Sequence, residues 1–221
     1  MLKKINQNYR PKELEAILIN LYNEGKFEEI LKKENELFLV VNKSINLLNI
    51  IGLANLALKN FNKAIQNFNK AITMNPHNPE VFYNLGITFH HKGKMDEAIE
   101  NYKNAIRLKP DYADAYCNQG LSFKEKGDFD AALKCYKSAI KINRHHSGSF
   151  YNLGDIFNLQ GRLIIALKYY KTVIKIEPNY AEGYYSIGEV FTKMGNINNA
   201  LNYYRKAIKL RPNFFEAYNN I

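Results

Sequence analysis

The stretch PEVFYNLGITFHHKGKMDEAIENYKNAIRLKPDY, residues 79–112, reads as two amphipathic helices joined at a glycine and closed by a proline. Apolar residues recur at steps of three and four in each half, which is the stripe of a half-buried helix. Gly93 stands between the halves, where a left-handed backbone costs glycine little. Pro110 closes the second half, because a proline steers the residue before it out of the helical region. The stretch is 34 residues long, and it returns. Pro76, Pro110, Pro178 and Pro212 are separated by multiples of 34, and Arg144 fills the one skipped beat. A period of this size marks an array of modules that are stable only when stacked.

Counting each module from its first residue, 79–112 carries Phe82, Leu85, Gly86, Phe89, Ala98, Tyr102, Ala105 and Pro110. Module 45–78 offers Leu48, Ile51, Gly52, Ala64, Phe68, Ala71 and Pro76 at the same positions. Module 113–146 offers Tyr116, Gly120, Phe123, Ala132, Tyr136 and Ala139. Module 147–180 has Phe150, Leu153, Gly154, Phe157, Ala166, Tyr170 and Pro178. Module 181–214 has Tyr184, Ile187, Gly188, Phe191, Ala200, Tyr204, Ala207 and Pro212. Gly at the eighth position and Ala at the twentieth are small so that two antiparallel helices can approach. Aromatics at the fourth and twenty-fourth positions fill the space around that contact.

This pattern resembles the tetratricopeptide repeat: aromatic-x-x-Leu-Gly-x-x-Tyr, then Ala-x-x-x-Phe, Ala and Pro. The resemblance implies an all-α chain, a right-handed superhelical solenoid of stacked antiparallel helix pairs. The period divides the chain into a tail over 1–10, a degenerate capping module over 11–44, five full modules over 45–214, and the start of a further helix over 215–221. In the capping module Leu18 replaces the small Gly, Ile30 the small Ala, and Glu34 the aromatic. Terminal modules are expected to be atypical. In module 113–146, Gln119 takes the Leu position and is expected to face a neighbour or solvent. Arg144 takes the proline position, so the joint at His145–Gly148 is expected to be looser than the others. The last segment, Phe215–Ile221, begins a module without completing it and reads as a piece of a longer protein. Its Tyr218 and Ile221 would offer a surface for self-association.

Composition narrows the function. No alternating strand pattern occurs, and no stretch approaches the ~18–20 apolar residues of a membrane span. Two cysteines, Cys117 and Cys135, are too few for a disulfide scaffold, and a reduced, cytoplasmic setting is the expectation. The pairs His90-His91 and His145-His146 cannot chelate a metal alone, since neighbouring helical residues point about 100° apart. No phosphate loop, triad or carboxylate pair is present, so neither an enzyme activity nor a cofactor nor a metal is expected of this segment.

Charge is segregated. The formal net charge is +10, and the second helices of the five full modules account for +11 against −1 on the first helices with their turns. Lys168, Lys171, Lys175, Arg205, Lys206, Lys209 and Arg211 form the densest cluster. Such a face attracts polyanions or simply keeps the chain soluble.

The resemblance also assigns a groove. In the family the first helix of each pair lines the concave face through its second, fifth, sixth, ninth, twelfth and thirteenth positions. The sixth position reads Ala16, Ile50, Asn84, Asn118, Asn152, Ser186 and Asn220. This row is similar to the asparagine ladder of O-linked N-acetylglucosamine transferases, and Asn84, Asn118 and Asn152 would hold the backbone of an extended peptide. Beside them the fifth position carries Tyr83, Cys117, Tyr151 and Tyr185. These tyrosines either form shallow pockets or pack on the adjoining helix. Glu80, Asp114 and Glu182 at the second position, with Asp155 and Glu189 at the ninth, would favour a basic or serine/threonine-rich ligand. The basic residues of a carboxylate clamp are missing. The expected function is a non-catalytic scaffold that binds a protein or peptide segment, with nucleic acid not expected as a partner. A weaker resemblance, over residues 18–29, is to the substrate-recruiting part of bacterial transferases, whose catalytic part would lie beyond residue 221.

Overall fold

The computed structural model describes residues 11–36, 41 and 44–221. The tail assigned to 1–10 lies outside the described residues, as do parts of the segment joining the first two modules. Among the described residues every regular element is helical, and none is long and apolar enough to cross a membrane. The chain forms two compact units, Met1–Asp111 and Tyr112–Ile221.

The first unit contains α1 (Pro11–Asn23), α2 (Phe27–Glu36), α3 (Ile45–Ala57), α4 (Phe61–Met74), α5 (Pro79–His91) and α6 (Met95–Leu108). The second contains α7 (Ala113–Glu125), α8 (Phe129–Ile142), α9 (Ser147–Leu159), α10 (Leu163–Ile176), α11 (Ala181–Lys193), α12 (Ile197–Leu210) and the short α13 (Phe215–Asn219). From α3 to α12, first helices of 13 residues alternate with second helices of 14. The stacked helix pairs expected from the period are therefore present in each unit.

In every pair but α3–α4 the turn between the two helices has a glycine in the left-handed region. At the end of α5, Gly93 has φ 77°, its N–H bonds to the His90 carbonyl at 2.9 Å, and the Lys94 N–H bonds to the Phe89 carbonyl at 2.9 Å. This is the Schellman arrangement, which satisfies carbonyls that the helix end would leave open. The same bonds form at α9, from Gly161 to Asn158 and from Arg162 to Phe157. At the end of α3 the left-handed position falls to Lys59, with φ 59°.

The small residues do what their spacing implies. A Cβ placed on Gly154 would meet Tyr170 Cε1 at 2.6 Å, and one on Gly188 would meet Tyr204 Cε1 at 2.5 Å. The ring of the twenty-fourth position thus lies directly over the eighth-position glycine of its own module. Ala64, Ala98, Ala132, Ala166 and Ala200 are all buried beneath these contacts. In the capping module the larger Leu18 and Ile30 are themselves buried, and burial pushes the Glu34 carboxyl up.

Two expectations need correction. Gln119 does not face solvent: it is buried, and its Oε1 accepts from Cys135 Sγ at 3.4 Å, within its own helix pair. A side-chain amide tolerates the Leu position because a thiol meets it there. The joint after Arg144 is bonded where it was expected to be loose. His146 Nδ1 accepts from the Ser149 N–H at 3.1 Å and caps α9, while its Nε2 donates to Asp114 Oδ1 at 3.0 Å. Asn143 Oδ1 accepts from the His145 N–H at 3.0 Å, and Ser147 bonds to Glu177. Side-chain bonds take over what a proline supplies elsewhere.

Candidate functional site

The residues assigned to a groove lie on α5 in the first unit and on α7, α9 and α11 in the second. Their polar groups follow one rule that the sequence pattern does not reveal. The fifth-position side chain of one module bonds to the sixth-position side chain of the next, 35 residues on. Asn84 Nδ2 donates to Asn49 Oδ1 at 3.0 Å. Asn152 Nδ2 lies 3.9 Å from Cys117 Sγ. Tyr151 and Ser186 share a hydrogen bond of 3.1 Å, and Asn220 Nδ2 donates to Tyr185 Oη at 3.1 Å. In these four pairs the fifth and sixth positions are thus partners of each other, joining one module to the next.

Asn152 is the most engaged of them. Its Nδ2 also donates to the Gly148 carbonyl at 3.0 Å, and its Oδ1 accepts from Lys124 Nζ at 3.0 Å. Asn84 is buried on α5, whereas Asn118 is half-buried on α7, where its carbonyl accepts from Ser122 Oγ at 3.1 Å. A side-chain amide carries two donors and two lone pairs, so one rung bond does not exhaust it.

The fifth-position tyrosines pack their rings within their own modules. Tyr83 lies 5.9 Å from Tyr102, Tyr151 lies 5.5 Å from Tyr170, and Tyr185 lies 5.6 Å from Tyr204, all tilted. Tyr151 also meets Tyr180 edge-on at 5.6 Å, and Tyr185 meets Phe214 at 5.0 Å. Such pairs add to the area they bury. Burial accordingly pushes both the Tyr151 and the Tyr185 phenols up. Of the two sequence alternatives for these rings, the geometry favours packing, with the Tyr151 and Tyr185 hydroxyls turned to the next module.

The acids divide. Asp155 accepts from Lys124 Nζ at 3.0 Å and from Tyr170 Oη at 2.8 Å, and the ion pair is largely buried, with side chains 17% and 26% exposed. Asp114 bonds to His146, and Glu182 pairs with Arg211. Glu189 is half-buried, and the Tyr185 hydroxyl favours its charged form. Burial holds its carboxyl above the ordinary range, against the pull of that hydroxyl and of Lys193. Lys124, at the twelfth position, is the residue that sequence reasoning missed. The groove positions include the twelfth, so reading that column would have found a lysine one module before Asp155.

On the second helices, Lys168, Lys171, Lys175, Arg205, Lys206 and Lys209 are exposed. Two members of the cluster are partly spent: Lys206 Nζ sits 4.6 Å above the Tyr184 ring, and Arg211 lies 4.8 Å over Phe214. Cys117 and Cys135 are buried free thiols, and burial pushes the first up and the second to about 11. No reactive thiolate results.

Comparison with known proteins places this geometry. Models of the TPR repeat match residues 52–93, 88–127 and 154–195, and a tetratricopeptide repeat model matches 113–146 and 181–214. Together they span well over half of the chain. The chain is similar to the crystal structure of MamA, at 27% identity over 75% of this chain and 97% of that one, with a TM-score of 0.65. It shares its fold with YrrB, described as a TPR protein with an unusual peptide-binding site, at 19% identity, 86% and 96% coverage and a TM-score of 0.60. PilF of Pseudomonas aeruginosa superposes with a TM-score of 0.79 at 15% identity over 95% of each chain. No curated protein matches the sequence.

Proposed function

The chain belongs to the tetratricopeptide repeat family, and from that premise we propose that it is a non-catalytic scaffold binding a protein or peptide segment along its first helices. The observation that carries the reading is the row of side-chain amides and hydroxyls at fixed spacing on α7, α9 and α11. Asn118, Asn152, Tyr151 and Tyr185 present donors and acceptors at one-module intervals, matched to an extended backbone whatever its side chains. Asn84 and Tyr83 present the same chemistry on α5. Glu189 sets the sign of the surface toward basic or hydroxyl-bearing segments, whereas Asp155 is already paired with Lys124. The unusual peptide-binding site described for YrrB, a protein of the same fold, agrees with this use of it.

The test is the triple variant Asn84→Ala, Asn118→Ala, Asn152→Ala. It should stay helical by circular dichroism and lose at least about tenfold in affinity for partner segments selected on the wild type. A folded variant with unchanged affinity would remove the ladder from the binding role. Self-association is a second reading, favoured by the exposure of Phe215, Tyr218 and Ile221. It requires that the sedimentation mass rise with concentration and that Tyr218→Ser abolish the rise. The transferase reading rests on residues 18–29 alone, and reading the gene beyond residue 221 decides it.

A further inference from the structure

The internal symmetry of the second unit offers a comparison of one module with the next. Lys124, at the twelfth position of its module, reaches the ninth-position acid of the following module, Asp155, at 3.0 Å. One module later the ninth position is Glu189, and the twelfth position before it is Asn158. The position that supplies an ammonium to Asp155 therefore carries a neutral amide in the module before Glu189. Asn158 Oδ1 is itself occupied, accepting from Lys193 Nζ at 2.8 Å. Lys193 lies one turn along α11 and acts on Glu189 only at longer range. Of the four groove acids that the sequence assigns to the second unit, Asp114, Asp155 and Glu182 each have a basic or imidazole partner within 4 Å. Among the described residues, Glu189 makes no such contact.

The Tyr185 hydroxyl, which accepts from Asn220 Nδ2 at 3.1 Å, favours the charged form of this carboxylate. A half-buried carboxylate without a counter-ion is costly unless a cation arrives. We propose that Glu189 is the cation-recognition point of this face and takes the ammonium or guanidinium group of a lysine or arginine in the bound segment, as Asp155 takes Lys124. The ligand is thus a basic peptide segment, and Asp155 is not its anchor. This assignment of ligand class rests on the peptide-binding reading above. The upward push that burial exerts on the Glu189 carboxyl agrees with an unmet counter-ion.

Two experiments on the full chain separate the assignment from the reading beneath it. In the first, short labelled Gly/Ser peptides with a central lysine, norleucine or glutamate are titrated against the wild type, Glu189→Gln and Asp155→Asn. The lysine peptide should bind the wild type about tenfold more tightly than the norleucine peptide, as a charge-assisted bond lost to a neutral side chain. Glu189→Gln should abolish that preference and Asp155→Asn should keep it. Binding that retains its lysine preference in Glu189→Gln overturns the assignment and leaves the peptide reading standing. Failure of all three peptides counts against the peptide reading, and the second experiment then decides the geometry alone. In a Lys193→Ala background, Asn158→Lys supplies the ammonium that Lys124 supplies one module earlier. The Glu189 carboxyl carbon, followed by NMR, should then titrate at lower pH than in the background protein. An unmoved titration overturns the proposed cation position.

Discussion

Gly154 and Tyr170 are steric complements: the ring of Tyr170 occupies the volume where a Cβ on Gly154 would stand, 2.6 Å from Cε1. Helix propensity favours Gly→Ala by about 1 kcal/mol, but overpacking a buried contact costs about 1–3 kcal/mol. The second effect wins because the ring is buried and braced by Tyr151. Gly154→Ala should therefore destabilise the protein by about 1–2 kcal/mol in urea unfolding. Adding Tyr170→Leu should recover part of that loss, and additive losses in the double variant would contradict a direct contact.

The buried tyrosines of the second unit differ in what their hydroxyls meet. Tyr170 Oη donates to Asp155 at 2.8 Å, whereas Tyr136 Oη is buried with no hydrogen-bond partner. Leaving a buried hydroxyl unpaired costs about 1–3 kcal/mol, while a bond to a charged group contributes about 1.5–3 kcal/mol. Tyr136→Phe should be neutral or stabilising, and Tyr170→Phe should destabilise by about 1–2 kcal/mol. Thermal unfolding of the two variants checks the opposite signs.

Lys59 holds the left-handed backbone position that Gly25, Gly93, Gly127, Gly161 and Gly195 hold elsewhere. Left-handed backbone costs a residue with a Cβ about 1 kcal/mol, and glycine escapes that cost. Lys59→Gly should raise stability by about 0.5–1 kcal/mol, and Gly127→Ala should lower it by about 1 kcal/mol. A loss of stability in Lys59→Gly would show that its side chain contributes more than its backbone costs.

Glu189 ties stability to pH. Its folded carboxyl titrates above the usual 4.5, chiefly through burial. Between the unfolded and folded values the native state binds more protons, so stability falls as pH rises through that window. Glu189→Gln should be more stable than the wild type at neutral pH. That advantage should vanish as pH falls below 4.5. Denaturant midpoints at pH 4 and pH 7 measure it, and an advantage independent of pH would exclude the titration as its source.

Much of the fold is legible in sequence because its steric rules are local and typed. A glycine and an aromatic sixteen positions apart, such as Gly86 and Tyr102, state a contact that residue sizes alone imply. The site is less legible because its contacts are chosen by chemistry that varies between modules. Asn49 with Asn84, Cys117 with Asn152 and Tyr151 with Ser186 share a geometry but no residue type. Asp155 and Glu189 look equivalent in sequence, and they differ only because Lys124 and Asn158 stand one module before them. Gln119 and His146 misled for a related reason. Each breaks the pattern, and each is met by a partner, Cys135 or Asp114, that the pattern does not specify.

The bond from a fifth-position side chain to the sixth-position side chain of the next module gives the array a rule of succession. Each module has an exit residue and an entry residue, and a junction forms when the two can share a proton. Tyr151 and Tyr185 are identical exits, facing Ser186 and Asn220 as entries. Excising residues 181–214 would place Tyr151 before Asn220, a pairing the protein already uses at Tyr185. Excising 147–180 would place Cys117 before Ser186, a weak thiol–hydroxyl junction with no precedent in the chain. Evolution can shorten this array more easily at one joint than at the other, and that asymmetry is written in four side chains.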